Sequence, residues 1–369
     1  MAADQKKRQL HIVHTESSLG WGGQEMRILS EALGFMQRGH RLTLLTPSSS
    51  TIYGAAIKAG IETVALPMEK KRLKGVMSLR KWLADNNPDI VNTHSSTDSW
   101  LVALAKIGMQ DIPMVRTRHL SAAVPGNFAT RWLYASATNY TVTTGESIRQ
   151  MLIRDNHFDG ANISAIPTGI DVDRFVPGDK RLVRSELGLP ADEILIGIVA
   201  TIRSWKGHQY LIEALSKIKN DKVRLLVIGD GPIKDVVEKQ IDELGLSDKV
   251  LMAGQQEDVV PWLQAMDIFV LPSYANEGVP QAVLQAMLCE KAIVTTDAGS
   301  ISEAVEHEQS GLIVDKKSSE AIATALELLM SDASLSERLG KQARLSAAAN
   351  YSFESMLDKM EKVFYSVVK

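Results

Sequence analysis

Short apolar runs alternate with amphipathic stretches along almost the whole chain. "LHIVHT", "RLTLLTP", "ETVALP", "PDIVNTHS", "IPMVRTRH" and "YTVTTG" have the length and branching of buried strands. Between them, "GGQEMRILSEALGFMQRGH" and "GVMSLRKWLADNN" repeat apolar positions at helical spacing. A second series follows: "ILIGIVATI", "VRLLVIGDG", "VLMAG", "IFVLPS", "AIVTTD" and "GLIV", with helical patterns in "GHQYLIEALSKIKN" and "SSEAIATALELLMSD". Strand–helix alternation of this kind predicts parallel sheets covered on both faces, and there are two sets. The fold class is therefore α/β, with two Rossmann-like doubly wound parallel-sheet domains facing each other across a cleft. The expected boundaries are 1–168 for the first domain, 169–190 for a linker or hinge and 191–351 for the second. "IPTGIDVDRFVPGDKRLVRSELGLPADE" supplies the Pro, Gly and Asp punctuation of the linker. A last helix in 352–369, "SFESMLDKMEKVFYSVVK", is expected to pack back on the first domain.

Composition narrows the class without choosing a reaction. The 369 residues are 45% hydrophobic and 23% charged, a size natural for two domains. No apolar run approaches the roughly 18 residues that cross a bilayer, and the start lacks an apolar signal segment. A single cysteine, Cys289, excludes an internal disulfide framework and suits a reducing compartment, so a cytoplasmic location is expected. Residues 1–168 hold 19 Lys/Arg against 13 Asp/Glu, a balance of +6, while the remainder holds 22 against 31, a balance of -9. That asymmetry suggests different partners for the two halves. The basic cluster Lys70–Lys81 (Lys70, Lys71, Arg72, Lys74, Arg80, Lys81) suits a solvated helix face or a peripheral contact with an anionic membrane or a phosphorylated acceptor. It lacks the aromatic interleaving of a nucleic-acid surface, and nucleic acid is not an expected partner.

The chemistry concentrates in "SYANEGVPQAVLQAM". A loop at a strand's carboxyl end runs into a helix, with Pro280 suited to its first turn. Backbone N–H groups over Gly278, Val279, Pro280, Gln281 and Ala282, with the helix dipole, suit a diphosphate, although Pro280 itself has no N–H to give. Glu277 is placed to accept hydrogen bonds from hydroxyls of an attached sugar. Gln285, about 7 Å further along the helix axis, could reach a ribose. The expected ligand is a nucleotide-diphosphate sugar.

"EGVPQAVLQAM" resembles the signature of retaining glycosyltransferases of family 4 in the GT-B fold. Along the chain "GWGGQE", "PTGIDVDRF", "WKGHQYLIEA", "VIGDGP", "AGQQEDVVPWLQAMDIFVLPS" and "DAGSISEAV" extend the resemblance. It implies sugar transfer to an acceptor hydroxyl of a glycan or lipid-linked acceptor, as in bacterial lipopolysaccharide or other cell-surface glycan synthesis. Glu277 would hold the donor hexose, and Lys206 would neutralise the departing diphosphate. Gly22 and Gly23 would bring backbone close to that diphosphate. His119 would lie near the reacting sugar, and Gln255 and Gln256 where backbone receives the base. Two positions depart from the pattern: Gln285 stands where a second Glu is usual, and Thr201 where an Arg is, leaving Arg203 as the second positive charge. Arg116 and Arg118 share a strand face opposite Thr117 and His119, and with His94 are acceptor-side candidates. Glu25 is compatible with acceptor recognition or with capping its own helix. No cofactor is implied; no metal-ligand cluster stands out, and "DVD" at 171–173 falls in the linker. The rival readings are a GT-B nucleotide-sugar epimerase or a phosphorylase, which would want a pyridoxal-phosphate lysine, and a non-catalytic sugar-nucleotide-binding protein, motivated by Gln285.

Overall fold

The computed structural model describes residues 8–109 and 111–368. It divides into two units, one running to Ile166 and taking up the chain again from Met356, the other Pro167–Ser355. Each is built on one parallel sheet.

The first sheet holds β1 (His11–Thr15), β2 (Arg41–Thr46), β3 (Glu62–Ala65), β4 (Ile90–Thr93), β5 (Met114–Arg118), β6 (Tyr140–Thr143) and β7 (Ile163–Ala165), in the order β3-β2-β1-β4-β5-β6-β7. Its strands read as near-continuous apolar runs because helices cover both faces. Val13, Val91 and Met114 are fully buried, as are Leu79, Leu101 and Val102 on the helices above them. Burying such side chains stabilises by about 1.5–3 kcal/mol each. The order reverses between β1 and β4, the switch point at which ligands collect beyond the carboxyl ends of doubly wound sheets.

The C-terminal helix, Phe353–Val367, contributes to this unit from Met356 onward. Phe364 meets Phe35 with ring centroids 5.3 Å apart, and Glu361 Oε1 lies 3.2 Å from His40 Nε2.

The second sheet contains β8 (Ile194–Val199), β9 (Val223–Ile228), β10 (Val250–Gly254), β11 (Ile268–Leu271), β12 (Ala292–Thr295) and β13 (Leu312–Ile313), ordered β10-β9-β8-β11-β12-β13. Here the switch point lies between β8 and β11. Ile196, Ile198, Phe269, Val270 and Ile293 form part of its buried core.

Two local expectations change. β7 is only "ISA", with one buried position, too short to give a periodic signal. The 169–190 stretch is no bare linker: it holds a helix, Lys180–Glu186, capped by Asp179, and is counted in the second unit. Arg184 anchors it, 2% exposed, donating to Ala265 O at 2.9 Å and pairing with Asp267 at 2.7 Å. "DVD" forms a turn in which Asp171 accepts from the Asp173 and Arg174 amides at 3.0 Å.

Candidate active site

In the second unit, both sides of the switch point carry residues that the sequence singled out. β8 leads into a single helical turn, Ser204–Lys206, and β11 into the loop bearing Glu277. Lys206 Nζ donates to Glu277 Oε1 at 2.6 Å, and the Ser273 hydroxyl donates to the same oxygen at 2.7 Å. Glu277 is buried at 5% exposure, so two donors offset the cost of holding a carboxylate out of water. Lys206 was expected to face a diphosphate and Glu277 a sugar; the structure brings the two into one ion pair.

Two glycines hold this arrangement tight. Gly207 (φ +80°) packs so closely that a Cβ would sit 2.1 Å from Pro272 O, and at Gly299 (φ +61°) a Cβ would sit 2.0 Å from Glu277 O. Any side chain at either position would displace the loop. The Tyr274 amide also bonds Trp205 O at 2.9 Å, tying the two loops together.

The helix following Glu277 is Gln281–Leu288, and Pro280 is its N-cap with ψ 128°, one position before the first turn where the sequence put it. Gly278, Val279 and Pro280 are buried, while Gln281, Ala282 and Gln285 are half-buried at the helix start and along it. Cys289, just beyond the helix, is buried and its thiol is pushed up to about 11 by burial, as suits a small packing residue. Arg203 is exposed with its guanidinium 5.2 Å from the Trp205 ring. Gln256 turns its side-chain amide back to Ala253 O at 2.7 Å, while Gln255 is exposed. His208, 1% exposed and with no hydrogen-bond partner on either ring nitrogen among the described residues, has its pKa lowered to about 4 by burial and then by Lys206.

In the first unit the ends of β1, β4 and β5 bring three histidines into a row. His14 Nδ1 lies 2.8 Å from His94 Nε2, and His94 Nδ1 lies 3.0 Å from His119 Nε2. Ring centroids are 5.0 and 5.3 Å apart with planes inclined by 24° and 29°. Those values describe imidazoles joined edge to edge through their nitrogens. Burial lowers the pKa of all three, His14 to about 3, with Arg27 adding to the shift. Behind His14, Glu31 and Arg27 are fully buried and paired at 3.3 Å. Asn92 donates to Glu31 Oε1 at 3.3 Å and accepts from Thr117 at 2.9 Å.

Asp98 fixes the two strand ends relative to each other. Its carboxylate accepts from Thr15 Oγ1 at 2.7 Å and from the His94 amide at 2.9 Å, and forms a capping box with Ser95. Glu16, at the end of β1, accepts from the Ser18 amide at 2.7 Å and from the Gln24 side chain. Its carboxyl is pushed up to about 8 by burial and by Asp98.

Gly22 is the N-cap of helix Gly23–Gln37, with φ -175°, extended backbone that demands no glycine. Glu25 is buried in the first turn of that helix. Arg116 and Arg118 do share a face: Arg116 stacks over the Tyr134 ring at 4.3 Å, and Arg118 donates to the Tyr134 hydroxyl at 3.2 Å. In the basic cluster Arg80 is bound to Ala105 O and Ile107 O at 2.9 and 2.6 Å, so it is not a free surface cation. The others are exposed beside Leu73 and Met77, themselves 73% and 63% exposed.

Sequence reasoning passed over His14, Glu31, Ser273, Gly207 and Gly299. His14 sits mid-strand in "HIVHT" and reads as a packing residue; only the row makes it otherwise. Among the described residues no group of His, Cys, Asp and Glu is arranged to hold a metal, and no helix is long and apolar enough to cross a membrane.

Residues 21–174 match Glycosyltransferase Family 4, and residues 179–346 match Glycosyl transferases group 1. A curated relative, D-inositol 3-phosphate glycosyltransferase of Mycobacterium ulcerans, is 25% identical over 378 residues, covering 92% of this chain and 80% of the relative. The crystal structure of a glycosyltransferase from Rickettsia africae superposes with a TM-score of 0.87 at 22% identity, covering 98% of this chain and 99% of that one. HepE from Anabaena, solved with UDP-glucose, gives 0.86 at 18% identity, covering 97% and 100%. With one family match on each side of residues 175–178 and a shared architecture along nearly its whole length, the chain belongs to the glycosyltransferases of group 1 and family 4 and has the GT-B fold.

Proposed function

We propose that the protein transfers a sugar from a nucleotide-diphosphate sugar, carried by the second unit, to an acceptor hydroxyl presented to the first, with retention of anomeric configuration. The observation that carries this reading is the Lys206–Glu277–Ser273 cluster at the β8/β11 switch point, beside the start of helix Gln281–Leu288. A carboxylate held by two donors keeps lone pairs available for sugar hydroxyls. Lys206 sits within one side chain of that acid and supplies positive charge for a leaving diphosphate, where stabilisation lowers the barrier most. The UDP and UDP-glucose bound by HepE support a uridine nucleotide as the first donor to test.

The motif around Glu277 supplies a single carboxylate, so same-face attack, with the departing phosphate oxygen taking the acceptor proton, is the mechanism we assign. Charge neutralisation by Lys206 and Arg203 stands in for a metal. The acceptor we assign is a cell-surface glycan precursor such as one of lipopolysaccharide, met at an anionic membrane through the exposed part of Lys70–Lys81. The relative from Mycobacterium ulcerans adds an inositol phosphate to the acceptor panel.

The test is calorimetry against UDP-, GDP-, ADP- and dTDP-sugars with EDTA present, followed by nucleotide release with and without acceptors. One donor should bind, Glu277→Ala should weaken it, and acceptor should accelerate release. The anomeric coupling of the product, read by NMR, should match that of the donor. Binding without acceptor-dependent release would favour the non-catalytic reading; release of an isomer without acceptor would favour an epimerase.

A further inference from the structure

The row His14–His94–His119 ends behind His14 at a buried carboxylate. His14 Nε2 is buried with no hydrogen-bond partner among the described residues, and Glu31 Oε1 lies 3.9 Å from it. That oxygen is not the one paired with Arg27, whose Nε faces Oε2. At the other end, His119 is half-buried, and its Nδ1 has no partner among the described residues.

We infer that Glu31, through His14 and His94, sets which ring nitrogen of His119 carries the proton, so that His119 presents a bare Nδ1 as a hydrogen-bond acceptor. This deepens the proposed function and rests on it for the statement that His119 faces the reacting sugar. His14, His94 and Glu31 are positioning residues; none of them is asked to touch substrate.

A neutral imidazole has one N–H and one lone pair, on opposite sides of the ring. In a row of three joined by single hydrogen bonds, choosing the proton position of one ring therefore chooses all three. Only two arrangements exist. Either every N–H points inward to Glu31, or every N–H points outward to His119 Nδ1. All three rings are held neutral by burial, which makes this the relevant choice.

The surroundings of Glu31 decide it. Burial pushes its carboxyl above the ordinary range, while the Arg27 and Asn92 bonds pull it back. Each of its oxygens receives a donor, Oε2 from Arg27 and Oε1 from Asn92, which is how an ionised carboxylate is satisfied. The Thr117 hydroxyl donates to the Asn92 oxygen, which leaves the Asn92 amide N–H for Glu31. An ionised Oε1 facing His14 Nε2 attracts an N–H and repels a lone pair, and in a buried setting that preference is not screened away. His14 then carries its proton on Nε2 and accepts from His94 Nε2–H; His94 accepts from His119 Nε2–H. An acceptor nitrogen at His119 suits a sugar hydroxyl that must donate, and it discriminates against a donor lacking that hydroxyl.

The direct test is nitrogen-15 NMR of the full-length protein labelled at histidine, which reads the protonated nitrogen of each ring without reference to activity. The expected spectrum has all three protons on Nε2 at neutral pH. A proton on His119 Nδ1, or a charged His119, overturns the inference. His94→Phe cuts the row at its middle: His119 should then lose its single fixed tautomer, and kcat should fall at least tenfold while the donor KM stays within about threefold. Unchanged kcat in a folded His94→Phe enzyme also overturns it, and should that variant not fold, the wild-type spectrum still decides. If no donor binds in calorimetry, the proposed function fails while the tautomers remain readable. If a donor binds and turns over yet His119 is protonated on Nδ1, only the present inference fails.

Discussion

The two sheets are built alike, yet their switch points are furnished in opposite ways. At the first, charges are sunk beneath the surface: Arg27, Glu31 and Asp98 are fully buried, and what reaches the strand ends is a row of neutral imidazoles. At the second, the charge itself stands at the strand ends, as Lys206 paired with Glu277 in loops that two glycines press together. Buried charges cost stability unless every bond is made, whereas a pair whose lysine is half-buried can exchange partners with a ligand. The first region is thus committed to holding a shape, and the second to meeting a charge.

The contrast is tested most severely by Glu31→Ala. It takes the carboxylate from a buried cation that keeps its bond to Ile166 O, so unfolding by denaturant should show a loss of about 3–5 kcal/mol. A loss under 1 kcal/mol would mean that the buried pair is not what holds the first region. Lys206→Ala takes one of two donors from Glu277, so it should cost less stability than Glu31→Ala, but it should reduce kcat by about 10²–10³-fold, on the order of a lost transition-state donor. Near-normal turnover would remove Lys206 from its assigned role.

Both regions lose stability in acid through buried histidines, and only the first holds a buried carboxyl that opposes the loss. His208 has its pKa lowered to about 4, so between about pH 6.5 and 4 the unfolded chain takes up a proton that the folded one refuses. Stability should fall as pH drops through that window, by up to about 1.4 kcal/mol per unit, and His208→Asn should flatten this slope. In the first region Glu16 works the other way. Its carboxyl, pushed up to about 8, keeps a proton that the unfolded chain releases above its ordinary value near 4.5, so its contribution is lost as pH rises towards 8. Below about pH 6.5 it offsets part of the acid loss from His14, so Glu16→Gln should steepen the fall in stability from pH 6.5 to 5 and remove the decline between 6.5 and 8, measured by melting across that range. The smallest effect expected is at the surface. Lys70→Gln should weaken sedimentation with anionic vesicles by about fivefold at low salt and leave donor affinity untouched, since one such charge contributes about 1 kcal/mol.

What the sequence made legible follows the same division. The second region is encoded almost contiguously: Ser273 to Gln285 lie within one strand–loop–helix, and their chemistry could be read in order. Lys206 needed the resemblance, because nothing local says that a lysine on a single turn after β8 will reach the β11 loop. The row in the first region was harder. His94 and His119 were singled out separately, but His14 lies 80 residues before His94 and alternates inward in a strand. No local pattern distinguishes it from a packing residue; only the parallel register, His14 opposite Asn92, brings it there. The strands were legible from their apolar runs, apart from the three-residue β7. The linker misled for a related reason: its Pro, Gly and Asp residues make real turns, while its anchors lie far along the chain, Asp258 pairing with Arg174 and Asp267 with Lys180 and Arg184.

The return of the chain at Met356 has a consequence for how the molecule is made. The first unit is the first to leave the ribosome, yet it is the last to be completed, because Met360, Glu361 and Phe364 are synthesised about 190 residues after Ile166. At about 5–20 residues per second that leaves roughly tens of seconds in which Arg27 lacks Met360, His40 lacks Glu361 and Phe35 lacks its aromatic partner. Throughout that interval the nascent amino-terminal half exposes an apolar face, and a chaperone that shields such faces has its natural opening there.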